Sequence, residues 1–205
     1  MATKIDLKKQ LKHLYGTTAA KGTVVVDVPE MNFLMIDGEG NPNTAKSFGD
    51  AVEALYSLSY GLKFMIRKSA TAIDYGVMPL EALWWSDDMT DFTSGNKDGW
   101  KWTAMIMQPE WVTEALVETA RAAAGKKKQL ASLNDVRFEG FAEGKSAQCL
   151  YFGPFADEGP TIERLHRFVT ENGGQLRGKH HEIYLSDMRR TDPAKLKTII
   201  RQPMG

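Results

Sequence analysis

The stretch GKHHEIYLSDMRR, residues 178–190, places a carboxylate in the middle of a strand-like run. Successive side chains of a strand point to opposite faces, so His181, Ile183 and Leu185 line one face and Glu182, Tyr184 and Ser186 the other. A glutamate beside a tyrosine on one face looks either at water or at something that wants a charge. Periodicity alone leaves both readings open. The choice depends on what the second face meets, and so on the rest of the chain.

Working outward, Asp157 to about Asn172 precedes this strand as a helix with Ile162, Leu165 and Val169 on its inner side and NGG as its stop signal. VRFEGFAEG and AQCLYFGPF read as a strand pair before it, and KLKTIIRQP as a strand after it. The first half of the chain follows the same plan. TVVVDV and NFLMID read as strands ended by the turn GEGNPN. From Thr44 to about Lys68, Phe48, Val52, Leu55, Leu58, Leu62 and Met65 recur every three or four residues, the mark of a long helix with one buried face. MPLEALWWSDD and WKWTAMIMQP then read as strands joined by TSGNKDG, and Glu110 to Ala124 as a shorter helix ending in Lys126, Lys127 and Lys128.

The halves also match locally. Glu81 opens EALWWSDD as Glu182 opens EIYLSD, and the run from Met105 to Pro109 resembles that from Ile199 to Pro203. Each half is strand, helix, strand, strand, which predicts an α+β fold. One copy would leave a sheet face bare, so two copies are expected to pair about a pseudo-twofold axis, over about residues 24–109 and 136–203. Residues 1–23, with lysines around Ile5, Leu7, Leu11 and Leu14, read as a short amphipathic segment docked on a domain spanning 24–205.

Lys plus Arg and Asp plus Glu both total 26, so the chain carries no global charge that would favour nucleic acid or an anionic membrane. No apolar run approaches the roughly 18–20 residues of a membrane helix, and MATKIDLKKQ lacks the apolar core of a secretion signal, which predicts a soluble cytoplasmic protein. Cys149 is the only cysteine and forms no internal disulfide. Its apolar strand suits an inert buried thiol better than a nucleophile. His180 and His181 are neighbours in a strand and point opposite ways, so they are poor partners for one metal ion, and neither a metal nor a cofactor is expected.

Aromatic residues carry more information. Trp84, Trp85, Trp100, Trp102 and Trp111 fall within 28 residues, with Tyr75 ahead of them and Tyr151, Phe152 and Phe155 in the matching part of the second half. Some must be core. Five indole N–H groups also need partners, a demand that a ligand groove relieves.

KHHEIYLSDMRRTDPAKLKTIIRQP, together with VPEMNFLMIDGEGNPN, AVEALYSLSYGLKF and MPLEALWW, resembles the GyrI-like small-molecule-binding proteins, above all their stand-alone branch, over nearly the whole chain. The resemblance implies a duplicated strand-helix-strand-strand module with a ligand cleft between the halves. In the related effector-binding domains of multidrug-responsive regulators, a glutamate in the corresponding strand faces cationic or aromatic drugs, which implies that role for Glu182. Some stand-alone relatives are hydrolases that open the cyclopropane of DNA-alkylating cyclopropanoids, with a glutamate and a tyrosine implicated. The tyrosine would be Tyr75, Tyr151 or Tyr184. Trp84, Trp85, Trp102, Tyr184 and Phe155 are the expected ligand wall.

Two functions follow as expectations. As a cofactor-independent hydrolase serving cellular detoxification, the protein would stack a flat substrate on indole faces while Glu182 activates water. As a multidrug-binding, sequestering or sensing module, it would hold hydrophobic cations by cation–π contact and the Glu182 charge. The chain shows no DNA-binding segment, which favours a stand-alone protector, monomeric or homodimeric, whose partner is a small aromatic molecule. Direct inhibition of a DNA-processing enzyme rests on family association alone.

Overall fold

A computed structural model describes residues 2–87 and 96–205. Two compact units emerge: Met1–Gln10, Met31–Met78 and Trp85–Phe141 form the first, and Leu11–Glu30, Pro79–Trp84 and Ala142–Gly205 the second. Both combine helices with antiparallel strands, and the fold is α+β.

In the first unit, β3 (Met31–Glu39) lies between β6 (Lys101–Gln108) and β7 (Arg137–Phe141), antiparallel to both. Phe33, Leu34, Met35 and Ile36 are all buried, a run without alternation that marks a strand covered on both faces. A short β1 (Thr3–Ile5) pairs in parallel with β4 (Ile73–Tyr75), and one turn of helix, α1 (Leu7–Gln10), follows β1. The long helix expected from the apolar spacing is α3 (Lys46–Lys68), and Phe48, Leu55, Leu58, Leu62 and Ile66 are its buried stripe. The next helix of this unit, α4 (Glu114–Lys127), starts later than the sequence suggested. Thr113 is its cap, its hydroxyl accepting from the Leu116 amide at 3.4 Å. The connection TSGNKDG falls partly outside the described residues; its end, Lys97–Gly99, is a 3-10 turn.

The second unit holds five antiparallel strands in the order β2 (Val24–Val28), β8 (Gly144–Phe152), β10 (Lys197–Pro203), β9 (His180–Tyr184) and β5 (Leu80–Trp85). The short helix α2 (Lys12–Tyr15) precedes β2, and α5 (Gly159–Glu171) follows β8. Leu165 and Val169 of α5 pack into a core with Ala147, Cys149, Tyr151, Ile200 and Met204. Gly173, at φ 72°, supplies the left-handed residue after the helix that a side chain would resist. Cys149 is buried in this core and burial pushes its thiol pKa up, as an inert packing thiol requires.

Two local readings are corrected. β7 does not pair with β8, which follows it in sequence; it pairs with β3, while β8 pairs with β2 and β10. A doubly buried strand such as β3 needs a ladder on each edge, and β7 supplies the second. Glu81 and Glu182 are not equivalent either. Glu81 pairs with Ile183, and Glu182 with Ala82, so the two carboxylates lie on opposite faces.

Candidate ligand site

On β9 the alternation holds. His180, Glu182 and Tyr184 share one face with their cross-strand neighbours Trp84, Ala82 and Leu80 of β5 and with Ile200 and Thr198 of β10. Ile200 belongs to the core beneath α5, so this is the helix-packed face. Glu182 is buried, 6% exposed, which excludes the reading of it as a surface carboxylate.

What surrounds Glu182 is polar at the tips and aromatic along the sides. His180 Nε2 stands 3.4 Å from Glu182 Oε1, so among the described residues the carboxylate's ion-pair contact is with an imidazole. Trp84 Nε1–H donates to the Tyr184 hydroxyl at 3.1 Å, and the Phe155 ring meets Tyr184 edge-on at 5.5 Å. Burial, then the charge of Glu182 and its hydrogen bond to the phenol, push the Tyr184 pKa well above the usual phenol value. The phenol therefore stays protonated beside a carboxylate that it helps to orient.

Four expected site residues thus come together in the second unit: Glu182, Tyr184, Trp84 and Phe155. Tyr151 lies in the same unit, yet its hydroxyl is committed to the Pro154 carbonyl at 2.8 Å. Tyr75, Trp85 and Trp102 belong to the first unit. Tyr75 meets Trp111 edge-on at 5.9 Å and lines a groove of about 420 Å³ with Lys63, Asp74 and Met78. Burial raises its phenol pKa, and among the described residues the hydroxyl has no hydrogen-bond partner. Trp102, 1% exposed, packs edge-on against Phe48 at 5.0 Å.

The opposite face of β9 carries a group that sequence reading missed. His181 Nδ1 is 3.0 and 3.1 Å from the two oxygens of Glu143, and its Nε2 is 3.0 Å from Glu81 Oε2 in an ion-pair contact off the hydrogen-bonding axis. The Tyr15 hydroxyl donates to Glu81 Oε1 at 2.8 Å. Arg201 donates to Glu143 at 3.1 Å, to Gln148 at 2.9 Å and to the Leu14 carbonyl at 3.0 Å, while Gln148 donates to the Thr17 hydroxyl at 2.7 Å. Burial opposes charge on His181, but Glu143 and Glu81 outweigh it and lift the pKa to about 9. Burial likewise favours neutral Glu143, but His181 and Arg201 win and hold it at about 2. These groups are too enclosed to meet a ligand. Their work is to tie residues 13–17 onto the sheet. The available signal was a charge inside each of three apolar runs: Glu81, His181 and Arg201.

The sequence matches the GyrI-like small molecule binding domain over residues 23–203. The chain belongs to this family. Among solved structures, an uncharacterized conserved protein from Listeria innocua is 38% identical with a TM-score of 0.88, the match covering 98% of this chain and 100% of that one. A protein described as a hydrolase from Listeria innocua is 36% identical with a TM-score of 0.86, again over 98% and 100%. The C-terminal domain of EcmrR shares the fold at 11% identity, with a TM-score of 0.56 over 89% of this chain and 96% of that domain. Comparison with curated proteins finds no match. As a GyrI-like chain it is a small-molecule-binding domain, and no helix among its described residues is long and apolar enough to cross a membrane.

Proposed function

We propose that this GyrI-like protein binds flat aromatic or hydrophobic molecules beside Glu182 and hydrolyses cyclopropanoid DNA-alkylating compounds, as a protective activity in the cytoplasm. The observation that carries the reading is a buried carboxylate, Glu182, set among Tyr184, Trp84 and Phe155. The similarity to a Listeria innocua protein described as a hydrolase supports the reaction class.

The chemistry is balanced without a redox partner. Glu182 removes a proton from water as its oxygen attacks the cyclopropane carbon; a C–O bond forms and the strained C–C bond breaks. Its electron pair moves through the conjugated system to the carbonyl oxygen, which takes up a proton and becomes a phenol. Ring strain supplies the driving force, and a carboxylate held within hydrogen-bond reach of the attacking water can take its proton. A tyrosine O–H hydrogen-bonds the carbonyl oxygen as charge develops there; within the unit that holds Glu182 the candidates are Tyr184 and, once its hydroxyl leaves the Pro154 carbonyl, Tyr151, separable by phenylalanine substitution.

A second reading is favoured by the ion-pair contact of Glu182, which among the described residues is with the His180 imidazole. A buried carboxylate left to an imidazole suits a hydrophobic cation, and the protein would then sequester or sense such molecules. Incubating the pure protein with a spirocyclopropyl dienone and following it by mass spectrometry separates the two. The hydrolase reading expects a product heavier by one water; intact substrate after many hours of contact leaves only binding.

A further inference from the structure

His180 has no assigned part in the reaction, although its imidazole stands in ion-pair contact with Glu182. Its Nε2 is 3.4 Å from Glu182 Oε1 and makes no hydrogen bond. It sits across the ladder from Trp84, on the Glu182 face of β9. From α5, His166 stands close enough to His180 for the two imidazoles to influence each other, and among the described residues its Nε2 is also buried without a hydrogen bond. Glu158, just before α5, is close enough to act on the Tyr184 phenol. The carboxylate is therefore bordered by an imidazole, that of His180, whose Nε2 makes no hydrogen bond among the described residues.

A general base that takes a proton from water is spent until it loses that proton. Tyr184 cannot receive it, because its phenol is already protonated and its oxygen accepts from Trp84. A neutral imidazole nitrogen can. The His180 side chain is also the more open of the pair, 14% exposed against 8% for Glu182, so it leads toward solvent.

We propose that His180 is the proton exit for Glu182. Resting on the hydrolase reading above, it adds one step: after ring opening, the Oε1–H bond of Glu182 breaks as an Nε2–H bond forms on His180, and the imidazolium then releases the proton to water. His166, whose pKa is lowered by burial and by the charge of His180, stays neutral beside it. His180 touches Glu182 rather than substrate, so it positions and restores the base and is not itself a catalytic residue.

His180→Gln keeps a hydrogen-bonding amide but cannot carry the proton; His180→Asn serves as a second variant should the first fold poorly. With enzyme in excess over a spirocyclopropyl dienone, the first turnover is expected at the parent rate, because the base has not yet been used. With substrate in excess, kcat is expected to fall on the order of 100-fold with KM little changed, and added imidazole should restore it. Equal slowing of both regimes without rescue by imidazole marks a structural role and overturns the proposal. So does unchanged kcat in the variant. No turnover by the parent protein overturns the hydrolase reading and this step with it, so the two failures are distinguishable.

Discussion

His181 and Glu143 form a buried pair in which Nδ1 of the imidazole lies 3.0 Å from one carboxylate oxygen and 3.1 Å from the other. With Glu81 against the second nitrogen, both ring nitrogens face carboxylates, and only the imidazolium has a proton for each.

That charge makes stability depend on pH with a definite sign. The folded pKa of His181, about 9, lies above the ordinary value of 6.5, so its contribution is complete below about pH 6.5 and is lost as pH rises through 9. Urea midpoints of parent and His181→Gln should differ most below about pH 6.5 and converge above pH 9. The expected loss at neutral pH is about 3–5 kcal/mol, since the change strands two buried carboxylates. A constant difference across the range would show that packing, not charge, is at stake.

Glu143 runs the other way. Its pKa of about 2 lies below the ordinary 4.5, so its contribution is full above pH 4.5 and disappears as pH falls through 2. Glu143→Gln should therefore cost stability at pH 6 and cost little at pH 2, a contrast readable by circular dichroism melts.

Much of the fold was legible because it repeats locally. Phe48, Leu55, Leu58 and Leu62 announce α3, and the alternation through His181, Glu182 and Ile183 put the right residues on the right faces. The ion network was not legible, because its bonds join distant segments: Arg201 reaches the Leu14 carbonyl across 187 residues, and Gln148 reaches Thr17 across 131. Matching Glu81 with Glu182 failed for a related reason. A shift of one residue leaves two sequences looking alike and turns a side chain to the opposite face.

Gly38 is fixed by a ring. A β-carbon at this position would stand 2.2 Å from Cζ2 of Trp102, closer than atoms can approach. Gly38→Ala should displace Trp102 from Phe48 and destabilise the protein by about 1–3 kcal/mol. Its thermal midpoint should drop, with a red shift in tryptophan emission; an unchanged midpoint would contradict the packing described.

Glu182→Gln separates catalysis from binding. Gln keeps the shape but loses both the charge and the ability to take a proton. Under the hydrolase reading the variant binds a neutral cyclopropanoid as the parent does, while turnover falls by roughly 100-fold or more. Under the cation reading, affinity for a hydrophobic cation drops and neutral ligands are unaffected, as isothermal titration would record. Parent-level turnover in the variant would falsify the assignment of the base.

The two faces of β9 also bear on how such a protein can change over generations. Five residues, His180 to Tyr184, alternate between a closed lattice of charges and a carboxylate set among aromatic groups. Because neighbouring side chains never share a face, substitutions around Glu182 can retune ligand preference without passing through the lattice that anchors residues 13–17. An inserted or deleted residue has no such freedom. It would exchange the two sets at a stroke, so this strand should drift readily in chemistry and hardly at all in length.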